Sequence, residues 1–239
     1  PGPPEEEDAI EHLKFYVMVP TESSATHGRI TDSGETRCPA CNRFIEEPRD
    51  AYHAVIDHLG RRGFADVLHV GTLWLVLRQD LVDLWRAHGL SGLSATPVHV
   101  IGWSKRTKKP FPSEVPEYFW LQATSFVRLL EPPLAESPCP VCHRAEYAFP
   151  KDLAPLPHGT AIDETSWDGS DFFGVFGYSL LICTREVAEL TLRAGYNKHL
   201  AFMRLEEFAT REIYDSARWT HEEYADYYES FYKRRVEDL

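Results

Sequence analysis

The sequence predicts an α/β protein made of two pseudo-repeats around one structural metal, with a C-terminal helix added. Two observations predict it. Four of the five cysteines lie in two knuckles, Cys38-Pro39-Ala40-Cys41 and Cys139-Pro140-Val141-Cys142, set 101 residues apart. After each knuckle, at a similar distance, comes an apolar run, a helical pattern closed by glycine and a second apolar run.

Two residues between cysteines let a tight turn aim both sulfurs at one point, and two such pairs complete a four-thiolate zinc site. Disulfides, reduced core thiols and redox chemistry are the alternatives. Redox use of a CPxC needs a helix opening at the first cysteine. Here Pro48 follows one knuckle closely, and Pro150 and Pro155 follow the other. A compact zinc ribbon holds its pairs about 15–20 residues apart. The far wider gap predicts a metal that staples a larger domain. Cys183 stands apart, in the apolar run Leu180–Thr184, and is predicted to be a buried strand residue.

The elements follow in order. Pro1–Asp8 reads as an acidic, disordered leader without a basic-then-apolar signal pattern. Lys14–Val19 has strand composition. Ser23–Thr36 reads as a loop, Phe44–Ala51 as irregular, and Ala51–Leu59 as a short helix closed at Gly60. Leu73–Leu77 is strand-like. Asp80 reads as an N-cap, Leu81, Val82, Leu84 and Trp85 as an apolar helix face, and Gly89 as the helix stop. Pro97–Gly102 is the next strand, Lys105–Pro112 a basic loop, Tyr118–Leu130 strand-like again, and Glu131–Pro138 a connector. The second half repeats the plan, with Leu180–Thr184, the helix Arg185–Arg193, Gly195 and Leu200–Leu205.

Laid over one another, Val76 meets Ile182, Leu81 meets Val187, Leu84 meets Leu190 and Gly89 meets Gly195. The pattern reads as an internal duplication. Pseudo-repeats of about 14–130 and 131–208 make up a zinc-stapled domain over residues 1–209, and 210–239 is an appendage. In the appendage, Thr220 and Glu223 form a capping box. Tyr224, Tyr227, Tyr228, Phe231 and Tyr232 then line one helix face, against the core or against a partner.

Composition bounds the function. A formal net charge of −12 disfavours nucleic acid, whose phosphates it repels. No apolar run reaches the length of a membrane span. Paired CxxC cysteines without a secretion signal fit a reducing cytoplasm. P-loop, nucleophile-elbow and dinucleotide fingerprints are absent. Pro138-Cys139-x-x-Cys142 matches half of a zinc deaminase signature, but the only His-x-Glu, at His221, follows the cysteines instead of preceding them. The eleven histidines look scattered. No catalytic constellation emerges.

At the knuckles, and at Val76-Leu77-Arg78, Leu81–Leu90, Lys108-Lys109-Pro110, Thr184-Arg185 and Ala188–Gly195, the chain resembles the double-CXXCG-motif immunity proteins, best known from myxobacteria. The resemblance covers roughly Lys14–Phe208. It departs at the glycine after each pair, where this chain has Asn42 and His143, at a position that often needs positive φ. The resemblance implies a non-enzymatic cytoplasmic protein, monomeric when free, that binds and neutralises a cognate protein toxin. Cys38, Cys41, Cys139 and Cys142 would hold the structural zinc. The acids Asp163, Glu164, Asp168, Asp171, Glu222 and Glu229 are the expected contacts for a basic toxin face. A zinc-stabilised interaction module with another partner, or an enzyme with a dispersed site, are the other readings.

Overall fold

The computed structural model describes residues 15–20, 26–32, 34–59, 63–70, 73–105, 109–130, 137–143, 161–176, 180–196 and 200–205. The acidic leader, most of the connector, and the appendage with its tyrosine stripe, Glu222 and Glu229 lie outside them. The fold is a mixed α/β one dominated by strands, with two α-helices among the described residues.

Six strands close into a barrel. In barrel order they are β2 (Thr26–Ile30), β5 (Tyr52–Ile56), β8 (Leu93–Trp103), β9 (Tyr118–Ala123), β7 (Leu73–Arg78) and β6 (Val67–Val70). A five-stranded sheet runs β10 (Phe126–Val127), β11 (Phe172–Val175), β12 (Leu181–Thr184), β1 (Phe15–Pro20) and β13 (Leu200–Arg204). A small ribbon pairs β3 (Glu35–Arg37) with β4 (Phe44–Glu46). Helix α1 (Gln79–Ala87) joins β7 to β8, and α2 (Arg185–Arg193) joins β12 to β13.

Period-2 alternation sorts the strand side chains into three cores. Tyr16 and Met18 of β1 face a central core, while Phe15 and Val17 face the far side of the five-stranded sheet. On β7, Leu75 and Leu77 join the central core and Val76 turns into the barrel, beside Tyr52, Ala54, Ile56 and Tyr118. Both helices lie on the central core. Leu81, Val82 and Trp85 of α1 are buried there, and Val187, Ala188 and Thr191 hold the same positions in α2. Full burial of a side chain such as Leu81 or Val187 contributes about 1.5–3 kcal/mol.

The two strand–helix–strand units share a pairing pattern. Strands β7 and β8 do not pair with each other; β9 lies between them, antiparallel to both. Likewise β12 and β13 are separated by β1, antiparallel to both. The registers correspond as well. Arg78, Leu77 and Val76 face Tyr118, Phe119 and Trp120, while Thr184, Cys183 and Ile182 face Phe15, Tyr16 and Val17. At the other end Leu93 faces Ala123 and Leu200 faces Pro20. The inserted strand has a different origin in each unit: β1, from the first half of the chain, completes the second unit, while β9 completes the first from within that same half. The boundary of sheets therefore does not follow the sequence division at 130–131.

The helices meet at equivalent positions. Trp85 Nε1 donates to Thr191 Oγ1 at 2.9 Å, between residues 106 apart, the same offset that lays Val76 over Ile182. Contact between equivalents is what a twofold axis produces. Gly89 and Gly195 have φ of 71° and 86°, and their N–H groups bond Arg86 and Leu192 oxygens. Both helices thus stop in a left-handed residue that glycine adopts without strain.

Four local expectations change. Ser23–Thr36, expected as a loop, holds β2 and the start of β3, because Thr26 is buried and β2 pairs with both β5 and β6 to close the barrel. Ala51–Leu59 holds a strand, β5, in place of a short helix: Tyr52, Ala54 and Ile56 are buried in the barrel while His53 is exposed, a period of two. Part of the stretch expected to be irregular forms β4. Asp80 sits in the first turn of α1, and Arg78 is the N-cap. There Arg78 Nε donates to Asp80 Oδ1 at 2.8 Å, and its Nη1 lies 3.0 Å from Asp66 Oδ1. Tyr196, beyond α2, hydrogen-bonds Asp80 as well.

This network makes a pH prediction. The hydrogen bond from Arg78 holds the Asp80 carboxyl below its ordinary range, against an opposing effect of burial. A depressed folded-state pKa stabilises above the unfolded value and is lost as pH falls through the folded one. Asp80→Asn should therefore cost about 1 kcal/mol at pH 7, discounted because the side chain is 43% exposed. The gap to wild type should close as pH drops below about 4. Denaturant midpoints measured from pH 7 to pH 3 check this; a gap that stays constant refutes it.

Candidate metal centre

The first knuckle is the turn of the β3–β4 ribbon. Cys38 N–H donates to the Arg43 oxygen at 2.8 Å and closes the ribbon, while Asn42 N–H donates to the Cys38 oxygen at 2.8 Å and tightens the turn. Arg37 Nη1 reaches the Asn42 oxygen at 2.9 Å. The second knuckle repeats the turn, with His143 N–H donating to the Cys139 oxygen at 2.9 Å.

Asn42 and His143 have φ of 61° and 56°, the left-handed geometry expected where the resemblance places glycine. Asparagine is among the residues enriched in this region, and so is histidine. The His143 ring also stacks on Phe126 with centroids 4.4 Å apart and planes 17° from parallel. Phe126 in turn covers Gly174, where a Cβ would lie 2.7 Å from its ring. The stack docks the second knuckle onto β10 and β11 and offsets part of the strain a bulky residue meets at positive φ.

The sulfurs converge in equivalent pairs. Cys38 Sγ lies 3.6 Å from Cys139 Sγ, and Cys41 Sγ lies 3.5 Å from Cys142 Sγ. All four lie within 4.8 Å of one another, a cluster that can hold a metal ion. Cys38 and Cys139 are buried, Cys41 and Cys142 partly so, and none is in a disulfide. The turns also prepare thiolates. The N–H groups of Cys142 and Val141 bring Cys139 down to about 6. For Cys38, burial opposes ionisation, but the N–H groups of Cys41 and Ala40 outweigh it and lower the pKa. Both therefore favour the form that binds metal. Cys183 is different. It is fully buried in β12 among apolar side chains, and burial pushes its thiol well up.

Three of the acids expected to face a partner, Asp163, Asp168 and Asp171, are drawn into local structure. Asp163 pairs with Arg128 at 3.0 Å and accepts from the Thr165 N–H at 3.1 Å. Asp168 accepts from the Ser170 N–H at 3.0 Å, closing a turn. Asp171 accepts from both the N–H and the hydroxyl of Ser91 at 2.8 Å and ties the end of α1 to β11. Glu164 is exposed in a 3-10 turn.

An open groove of about 500 Å³ beside α2 is lined by His88, Arg185, Glu186, Glu189, Leu190 and Arg193. Both arginines are bonded to Glu189, at 2.7 Å each, so their charge is largely compensated there. Among the described residues no helix is long and apolar enough to cross a membrane.

Fold and site together define a class: a strand-rich α/β protein whose two halves meet at a four-cysteine centre. No protein-family model and no curated protein matches the chain.

Proposed function

We propose that this is a non-enzymatic immunity protein that binds a cognate protein toxin in the cytoplasm and blocks it. Its scaffold would be two copies of one unit, stapled by a single structural zinc at Cys38, Cys41, Cys139 and Cys142. The observation that carries the reading is the convergence of both knuckles on one centre, with the left-handed residue after each pair, as the resemblance implies. Zinc suits the donors. With Zn–S near 2.3 Å, tetrahedral sulfurs stand about 3.8 Å apart, close to the 3.5 Å and 3.6 Å seen in the two equivalent pairs. Four protein ligands leave no open position for substrate, so the metal supports the fold and does no chemistry.

Blocking needs a surface that finds the toxin before it acts. The net charge of −12 favours a basic partner and disfavours nucleic acid. The test is protection. Where a neighbouring gene encodes a secreted toxin, cells expressing that toxin should regain growth when this protein is co-expressed. Association of the purified pair should slow about tenfold or more from low salt to 0.5 M, with dissociation little changed. Failure to protect or to bind refutes the immunity reading and leaves an interaction module with an unrelated partner.

A further inference from the structure

The histidines that look scattered in sequence gather on the outer wall of the barrel. His27 of β2 faces His69 of β6, and His53 of β5 faces His99 of β8. The His53 side chain is 46% exposed, and His99 is exposed beside it. Their strand neighbours Tyr52, Ala54, Val98 and Val100 point into the barrel.

We propose that His53 and His99, with Asp32 behind His53, form a two-imidazole site for a borderline divalent transition metal such as Zn²⁺, Ni²⁺ or Cu²⁺, separate from the cysteine centre. Three features set this pair apart. First, Asp32 clamps His53 twice, accepting from its main-chain N–H at 2.8 Å and from ring Nδ1 at 2.9 Å. Donation from Nδ1 to a carboxylate fixes the tautomer and leaves Nε2 with a free lone pair, the arrangement that supports a metal-binding imidazole from behind. Second, the backbone under the ring is held. The His53 oxygen accepts from the Thr31 N–H at 2.8 Å and from the Thr31 hydroxyl at 3.1 Å. The first ligand is therefore preorganised.

Third, the ring spacing leaves room for one ion between the two imidazoles. An imidazole bound at about 2.0–2.1 Å puts its ring centre roughly 3.2 Å from the metal, so two rings that subtend about 100–125° at one ion have centres about 4.9–5.7 Å apart. The His53 and His99 centres are 5.6 Å apart with planes tilted by 44°. His27 and His69 are as close, at 5.3 Å, but lie within 14° of parallel. Water completes the shell at His53 and His99, so the ion exchanges freely and the affinity is below that of the four-thiolate centre.

The ordinary role of Asp32 and His53 is a hydrogen-bonded clasp that fastens the end of β2 to β5, and the experiment separates the two. Protein carrying its cysteine-bound metal is titrated with NiCl₂ by calorimetry and with CuCl₂ by electron paramagnetic resonance. One saturable site per chain is expected, with two nitrogen ligands in the copper spectrum. His99→Ala, an exposed change that should leave the melting temperature unaltered, abolishes the site, as does His53→Ala. Asp32→Asn weakens it by about 10- to 100-fold. His27→Ala leaves it unchanged. Absence of saturable binding, binding that survives both His53→Ala and His99→Ala, or loss of the site in His27→Ala overturns the proposal.

Discussion

Replacing Cys139 with serine should remove the bound metal and lower the melting temperature by about 10–20 °C. Metal content should fall from about one ion per chain to none. A structural zinc contributes about 10–16 kcal/mol in peptides that have no other core. The loss here should be smaller, because the two halves also share the central core of Trp85, Leu81, Val187 and Phe202. A loss of about 4–5 kcal/mol is enough for the stated shift, at about 2–4 °C per kcal/mol in a chain of this size. Cys38→Ser should behave alike, since its sulfur is the near neighbour of Cys139 across the centre. Cys183→Ala is the control. It trims a buried strand side chain, costs about 1 kcal/mol or somewhat more, and leaves the metal in place. Metal analysis by mass spectrometry and thermal unfolding check all three. Retention of metal by Cys139→Ser, with melting within about 2 °C of wild type, would falsify the stapling role.

The second large effect is expected at the helix–helix contact. Trp85 is 2% exposed, lies 4.8 Å from the Phe172 ring and donates to Thr191. Trp85→Ala should destabilise by about 3–5 kcal/mol, because it empties a large volume where both helices and β11 meet. Thr191→Val is isosteric but strands the indole N–H, at a cost of about 1–3 kcal/mol. Thr191 also donates to the Val187 oxygen at 2.7 Å, so its hydroxyl fills both roles at once. Trp85→Phe combined with Thr191→Val should cost less than the sum of the two single changes, by about 1 kcal/mol. Chemical denaturation of the four proteins measures this coupling. Strict additivity would mean that the hydrogen bond contributes nothing between the halves.

Much of the site is legible in the sequence. The knuckles declare themselves because two thiols per turn is a local pattern. So do the helices: Leu81, Val82 and Trp85, and likewise Val187, Ala188 and Thr191, sit at spacings set by a period of 3.6 residues. Gly89 and Gly195 mark the stops because positive φ is a property of one residue. These features need only a few neighbours along the chain to be formed and to be read.

What the tertiary structure decided is who pairs with whom. A strand carries a period of two whichever sheet it enters, so nothing in Phe15–Pro20 tells that it completes the second unit, or in Tyr118–Ala123 that it completes the first. The same ambiguity hid β5, whose five residues are too few to separate a strand from a helical turn. It also hid the histidine pairs, since His53 and His99 meet only through the parallel register of β5 and β8. The acids show the reverse case. Asp163 and Asp171 read as free surface charge in sequence, but the fold brings Arg128 and Ser91 to them. Local chemistry is written in short windows of sequence. Strand partnership is settled by long-range closure, in which burial of the shared core selects one register among many that the same residues would allow.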